Sequence, residues 1–103
     1  MAEKIIAGKT IEVNEEGYFK DASQWTSEMA DEMAKEFNLE LTEVHFKVLD
    51  FLRQRQKAGE ALTIRSVGKS GITDIKGFYQ LFPGAPLKIS SKLSGIPKPT
   101  SCI

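Results

Sequence analysis

Residues 42–59 read TEVHFKVLDFLRQRQKAG, and their apolar spacing predicts a helix over Glu43–Lys57. Val44, Val48, Phe51 and Leu52 recur at three- and four-residue intervals, which gathers them on one stripe. Thr42 supplies an N-cap, and Gly59 supplies the residue that stops the helix. His45, the only histidine, lies beside Val44 and Phe46 near the helix start. That position suits packing or capping better than catalysis.

Upstream, DASQWTSEMADEMAKEF (21–37) predicts a second helix, from Ala22 to Phe37. Asp21 is its expected N-cap, and Gln24 its capping-box partner. Trp25, Met29, Met33 and Phe37 recur every four residues with Ala30 and Ala34 alongside, a face that reads as packing. Only NLEL (38–41) separates the two helices, so they are expected to pack as an antiparallel pair. Before them, KIIAGKTIEV (4–13) reads as a small hairpin turning at Gly8-Lys9, and NEEGYF (14–19) as a further turn.

Downstream the elements shorten. Thr63 caps a short helix around IRSVGK, and Thr73 or Asp74 caps the next, IKGFYQLF. FPGAP (82–86) is a stop signal. LKISSKLS (87–94) has room for one or two more helical turns. From Gly95 on, Pro97 and Pro99 favour an extended arm. The expected fold is α+β and mostly α-helical, with a small N-terminal β-hairpin, a compact helical domain (1–94) and a flexible C-terminal arm (95–103).

Composition narrows the function. Hydrophobic residues at 41% and charged residues at 27% are globular values, not those of a disordered chain. A single cysteine leaves no intrachain disulfide and too few ligands for a zinc finger or iron–sulfur cluster, so no metal or cofactor is expected. A lone thiol fits a reducing compartment, and no membrane span or secretion signal is apparent; a cytoplasmic location is expected. Residues 1–46 hold 11 acidic and 4 basic side chains, a net of −7, while residues 47–103 hold 3 acidic and 10 basic, a net of +7. Such a split fits orientation toward a charged partner, and it equally fits a fold that interleaves the halves. Arg65 and Lys69, one turn apart, can face one anion or acidic partner, or simply solvent. The basic short-helix region also admits a helix-turn-helix reading.

The chemistry concentrates at GIPKPTSCI (95–103). Cysteine is usually buried, yet Cys102 sits on a polar, proline-stiffened stretch between small neighbours. Such a thiolate can accept a sulfane sulfur as a persulfide or form a mixed disulfide. Lys92 and Lys98 favour the thiolate if near, while the terminal carboxylate opposes it. Ser90 and Ser91 lack a histidine at a nucleophile spacing, and there is no phosphate-binding glycine loop or catalytic carboxylate pair.

LFPGAP followed by KLSGIPKPTSCI closely resembles the C-terminal signature of the TusE/DsrC/DsvC family of sulfur-relay proteins. DASQW, LTEVHF and FYQLFP also resemble that family's landmarks, so the resemblance spans nearly the whole chain. It implies a cytoplasmic helical domain with an N-terminal hairpin and a mobile arm whose penultimate cysteine, here Cys102, carries persulfide sulfur. Members working with dissimilatory sulfite reductase have a second cysteine eleven positions earlier, where this chain has Ser91. That difference resembles the single-cysteine TusE branch, in which sulfur passes from a TusBCD-type complex to a tRNA thiouridylase making 2-thiouridine. Phe46 replaces a usual tryptophan, Ala85 a usual glycine, and the stretch from Gly59 to Gly77 is altered; these departures bear on partner identity.

The resulting expectation is a sulfurtransferase-like relay component, not a self-contained enzyme. Cys102 is the sulfur carrier; Gly95, Pro97 and Pro99 set arm geometry; Lys92, Lys98, Arg65 and Lys69 support or dock. Direct nucleic-acid binding is not required. The alternatives are a carrier or gamma-subunit-like accessory protein in sulfur oxidation or dissimilatory sulfite metabolism, and a basic nucleic-acid-binding module.

Overall fold

A computed structural model describes residues 2–98. Cys102 and Pro99 therefore lie outside the described residues. The chain opens with strand β1 (Ala2–Ile6) and strand β2 (Lys9–Val13), paired antiparallel with Ile6 opposite Lys9. The two-residue turn is Ala7-Gly8, one position earlier than expected, with φ of 51° and 79°. Positive φ at both positions matches the twist of the strands and makes Gly8 the residue suited to the turn. Ile6, Ile11 and Val13 face the core, while Ile5 is 73% exposed.

The expected helix over 22–37 is divided. A 3₁₀ turn (Ala22–Gln24) precedes helix α1 (Ser27–Ala34), and a second 3₁₀ turn (Lys35–Phe37) follows it. Asp21 caps the first turn as expected, accepting from the Ser23 N–H. Gln24 does not complete a capping box; its side-chain oxygen accepts from the Glu12 N–H on β2. Trp25 is extended, with φ −74° and ψ 143°, and Thr26 starts α1 afresh. The four-residue periodicity is present, but the indole at its head is held by a distant carbonyl instead of by a continuous helix.

Helix α2 runs Glu43–Lys57, the predicted range. Its buried face is His45, Val48, Leu49 and Leu52. Val44, expected on that face, is 39% exposed, because the true stripe starts one residue later. Thr63 caps helix α3 (Ile64–Gly68), and Asp74 caps helix α4 (Ile75–Leu81) by accepting from Gly77 N–H at 2.7 Å. Pro86 belongs to the stop signal yet also begins helix α5 (Pro86–Leu93). A proline fits there because the first helical position has no intrahelical use for an N–H.

Helices α1 and α2 do not form the principal pair expected of them. Helix α5 packs against both. Its Leu87 and Leu93 join Met29, Val48, Leu49, Leu52, Phe78 and Phe82 in a single core. Ile96, beyond α5, is also fully buried in it. The last helix and the start of the arm are therefore central to packing, which brings the sequence around Gly95 under tertiary control.

Candidate functional site

The described chain nearest in sequence to Cys102 is the end of α5 and the residues up to Lys98. A helix leaves its last carbonyls without intrahelical donors, and buried ones must find partners. Here each finds one. The Ser94 N–H donates to the Ser90 carbonyl. The Ser91 carbonyl accepts from the Ile96 N–H and the Ser94 hydroxyl. The Lys92 carbonyl accepts from the Gly95 N–H. This pairing, with Gly95 at φ 68° and Ile96 buried just beyond, is a Schellman motif.

The two remaining carbonyls are held from other elements. The Trp25 indole N–H donates to Leu93 O at 2.7 Å. Arg53 of α2 donates from Nη1 to Ser94 O at 2.9 Å and from Nη2 to Ala22 O at 3.1 Å. The same guanidinium lies over the Trp25 ring, 4.4 Å from its centroid. Burial pushes the Arg53 pKa down from its ordinary value, while the Asp50 charge pulls it up. Gly95 packs directly on the indole, where a Cβ would overlap Trp25. Glycine is thus required at this position by its φ and by its neighbour.

A second tether joins the arm to the hairpin side of the molecule. Lys98 donates to the Glu16 carboxylate and forms an ion pair with it. That hydrogen bond, chiefly, holds the Glu16 carboxyl below its ordinary value; desolvation opposes it, and the charges of Lys98, Lys88 and Lys92 add smaller contributions in the same direction as the bond. The Lys92 ammonium lies 5.4 Å from the centroid of the buried Tyr18 ring. A groove of about 370 Å³, lined by Gln56, Gly59, Glu60, Ala61, Leu62, Pro97 and Lys98, borders the same segment.

Of the expected site residues, Lys92, Gly95, Pro97 and Lys98 therefore lie at the arm's root. Cys102 and Pro99 lie beyond the described residues. Arg65 and Lys69 are exposed, on α3 and at its C-cap, and enter none of the bonds that assemble the root. Sequence reasoning misses Trp25, Arg53 and Glu16. It places Trp25 in packing, and the only signal separating that residue from an ordinary core aromatic is its polar N–H.

Ser91 is fully buried, and its hydroxyl has no hydrogen-bond partner among the described residues. A buried hydroxyl without a partner is costly, so the site gains nothing from its polarity. His45 closes the start of α2: its Nδ1 accepts from the Thr42 N–H at 3.0 Å, and its Nε2 lies 2.8 Å from Leu81 O. A carbonyl can only accept, so Nε2 carries the proton and the ring is fully engaged in structure. Among the described residues, no group of three or more His, Cys, Asp or Glu side chains is placed to hold a metal ion. No helix among them is long and apolar enough to cross a membrane. The described residues thus tie the end of α5, with Gly95 and Ile96, to Trp25 and Arg53.

Comparison with known proteins agrees across the whole chain. The family described as DsrC like protein matches residues 5–103. Sulfurtransferase TusE of Buchnera aphidicola subsp. Schizaphis graminum is 37% identical, over 90% of this chain and 89% of the relative. The dissimilatory-type sulfite reductase subunit gamma of Nitratidesulfovibrio vulgaris is 33% identical over the full length of both. The solution structure of DsrC from Allochromatium vinosum superposes with a TM-score of 0.80 at 37% identity, covering 98% of this chain and 97% of that one. With a match of this extent, carried by the hairpin, the helical body and the arm together, this chain belongs to the DsrC/TusE family of sulfur-carrier proteins.

Proposed function

We propose that this protein accepts a sulfane sulfur on Cys102 and hands it to a second protein. The carrying observation is that a chain of this family holds one cysteine only, Cys102, inside the stretch that the family match covers. The Cys102 thiolate attacks the outer sulfur of a donor persulfide; a new S–S bond forms on Cys102, the donor's S–S bond breaks, and the donor leaves as thiolate. Repetition with an acceptor thiolate regenerates Cys102. Neither step has a net oxidant or reductant. Because no second thiol exists in the chain, the persulfide is resolved between proteins. A single unpaired thiol supports a reducing, cytoplasmic setting.

In this reading residues 1–94 form the body and 95–103 the arm. Gly95, Pro97 and Pro99 restrict the arm's path; Lys92 and Lys98 favour docking or the sulfur anion; Arg65 and Lys69 offer an exposed basic face to an acidic partner. Two recipients are compatible. Delivery within sulfite or sulfur-oxidation metabolism is supported by the end-to-end match to a sulfite reductase gamma subunit and by the likeness to DsrC in three dimensions. Delivery from a TusBCD-type complex to a tRNA thiouridylase is supported by the TusE relatives and by Ser91 in place of a second cysteine. Deleting the gene and measuring tRNA 2-thiouridine separates them: loss of the modification, restored by the wild-type gene and not by Cys102→Ser, selects the tRNA route. Unchanged 2-thiouridine selects the sulfite route. A nucleic-acid-binding module instead predicts salt-sensitive binding that survives Cys102→Ser. Helix α4, in that short-helix region, exposes Ile75 and Tyr79 with Lys76 as its one cation, which fits a protein partner better than phosphate.

A further inference from the structure

We propose that Arg53 and Trp25 are positioning residues for sulfur transfer: together they fix the direction in which the chain leaves α5 toward Cys102. This rests on the sulfur-carrier reading of Cys102 and adds to it a requirement on geometry.

The carbonyls at the end of α5 are satisfied in two different ways. The Schellman bonds belong to the helix itself and would form in any helix ending Ser-Gly-Ile. The bonds to Leu93 O and Ser94 O come from elsewhere: the indole of Trp25, 68 residues away, and the guanidinium of Arg53, 41 residues away. Arg53 also holds Ala22 O and stacks on the indole, so one side chain joins the α1 approach, α2 and the end of α5. The Schellman bonds leave Leu93 O and Ser94 O to outside donors, and any single donor to each would meet that need. What the arrangement adds is a fixed orientation of the peptide planes at 93–95, since Gly95 is pressed on the ring that Arg53 covers.

Orientation at this point sets the direction in which the chain sets out toward Cys102. From Pro97 to Ile103 an extended chain spans roughly 23 Å. A rotation of about 20° at its root then displaces the tip by about 8 Å over that reach. Group transfer tolerates far less, since a misplacement of about 1 Å can cost on the order of 100-fold in rate. A carrier that must enter a partner's site gains from a root that does not swivel, because less freedom is lost on docking. Arginine is well matched to this role, since its planar fork satisfies two carbonyls while stacking on an aromatic ring, which lysine cannot do.

The chain has one tryptophan and one cysteine, so clamp and thiol form a natural donor–acceptor pair. Cys102 is labelled with an aminonaphthalenesulfonate acceptor, and the Trp25–acceptor distance distribution is measured by time-resolved energy transfer. Each variant's unlabelled protein serves as its own donor reference, well below its unfolding midpoint. The expected result is a distribution at least two-fold broader in Arg53→Ala than in wild type, with Arg53→Lys in between. Iodoacetamide alkylation of Cys102 should stay within two-fold in both variants, because the clamp acts on place and not on thiol reactivity. If Arg53→Ala does not fold cooperatively, Arg53→Lys decides, again by width. An unchanged width overturns the proposal, as does a ten-fold change in alkylation rate. Loading of Cys102 by glutathione persulfide, followed by mass, tests the carrier reading separately: it requires no particular arm direction, so either idea can fail alone.

Discussion

At Ser91 the fold holds a fully buried hydroxyl with nothing among the described residues to bond it. Leaving such a group unsatisfied costs about 1–3 kcal/mol. Ser91→Ala should therefore stabilise the protein by about 1 kcal/mol. For a domain of this size that corresponds to a rise of about 4–8 °C in thermal midpoint. A lower midpoint would count against an unsatisfied hydroxyl at this site. At His45 the opposite holds, since both ring nitrogens are engaged and the ring meets Phe82 edge-on at 5.1 Å. His45→Ala should cost on the order of 2 kcal/mol in denaturant unfolding, from a lost cap and a lost long-range bond; a loss under about 0.5 kcal/mol would show that neither bond matters. The sequence around residue 45 makes the capping role legible, because capping is local. The bond to Leu81 is not legible there, since it joins residues 36 positions apart.

Among elements, α2, α3 and α4 follow from caps and periodicity written locally in the chain, whereas 87–94 is legible only as room for one or two turns where α5 forms over Pro86–Leu93. The helix over 22–37 does not, and the reason is specific. Periodicity reports which side chains are buried but not whether the backbone between them is continuous; Trp25 is held by Leu93 O, and the chain breaks to reach it. The stripe on α2 differs from its sequence pattern by one residue for a related reason: Val44 is apolar but lies at a helix start where packing does not reach. The hairpin side and the arm are joined by Glu16 and Lys98, and this contact predicts a pH dependence. The folded Glu16 pKa lies below its ordinary value of 4.5, chiefly through the Lys98 hydrogen bond. As pH falls below the ordinary value, the unfolded state takes up the proton first, so the contact's stabilisation is present above that pH and is lost as pH falls through the folded pKa. Unfolding curves should accordingly show a shallower loss of stability below pH 4.5 in Glu16→Gln than in wild type. Identical slopes would mean the tether is absent in solution. The pair is exposed, so added salt should weaken it.

For the molecule as a whole, the charge split along the sequence turns out to be partly internal. Glu16 from the acidic half feels Lys88, Lys92 and Lys98 from the basic half, so folding brings some of the two populations together. Arg65 and Lys69 remain exposed, where an acidic partner can reach them. Fold class and family are legible because hairpin, helices and terminal signature each leave local marks. The clamp at the arm's root is not, because it is assembled from residues 22, 25, 53 and 93–95, which only the folded chain brings together. The central claim concerns Cys102, and the most direct test is intact-mass spectrometry. Reduced protein is incubated with glutathione persulfide, desalted and measured, then exposed to a thiol acceptor and measured again. A Cys102 carrier gains one sulfur on the wild-type chain and none on Cys102→Ser, and returns to its original mass after the acceptor. An unmodified wild-type chain, or equal loading of Cys102→Ser, would contradict that role.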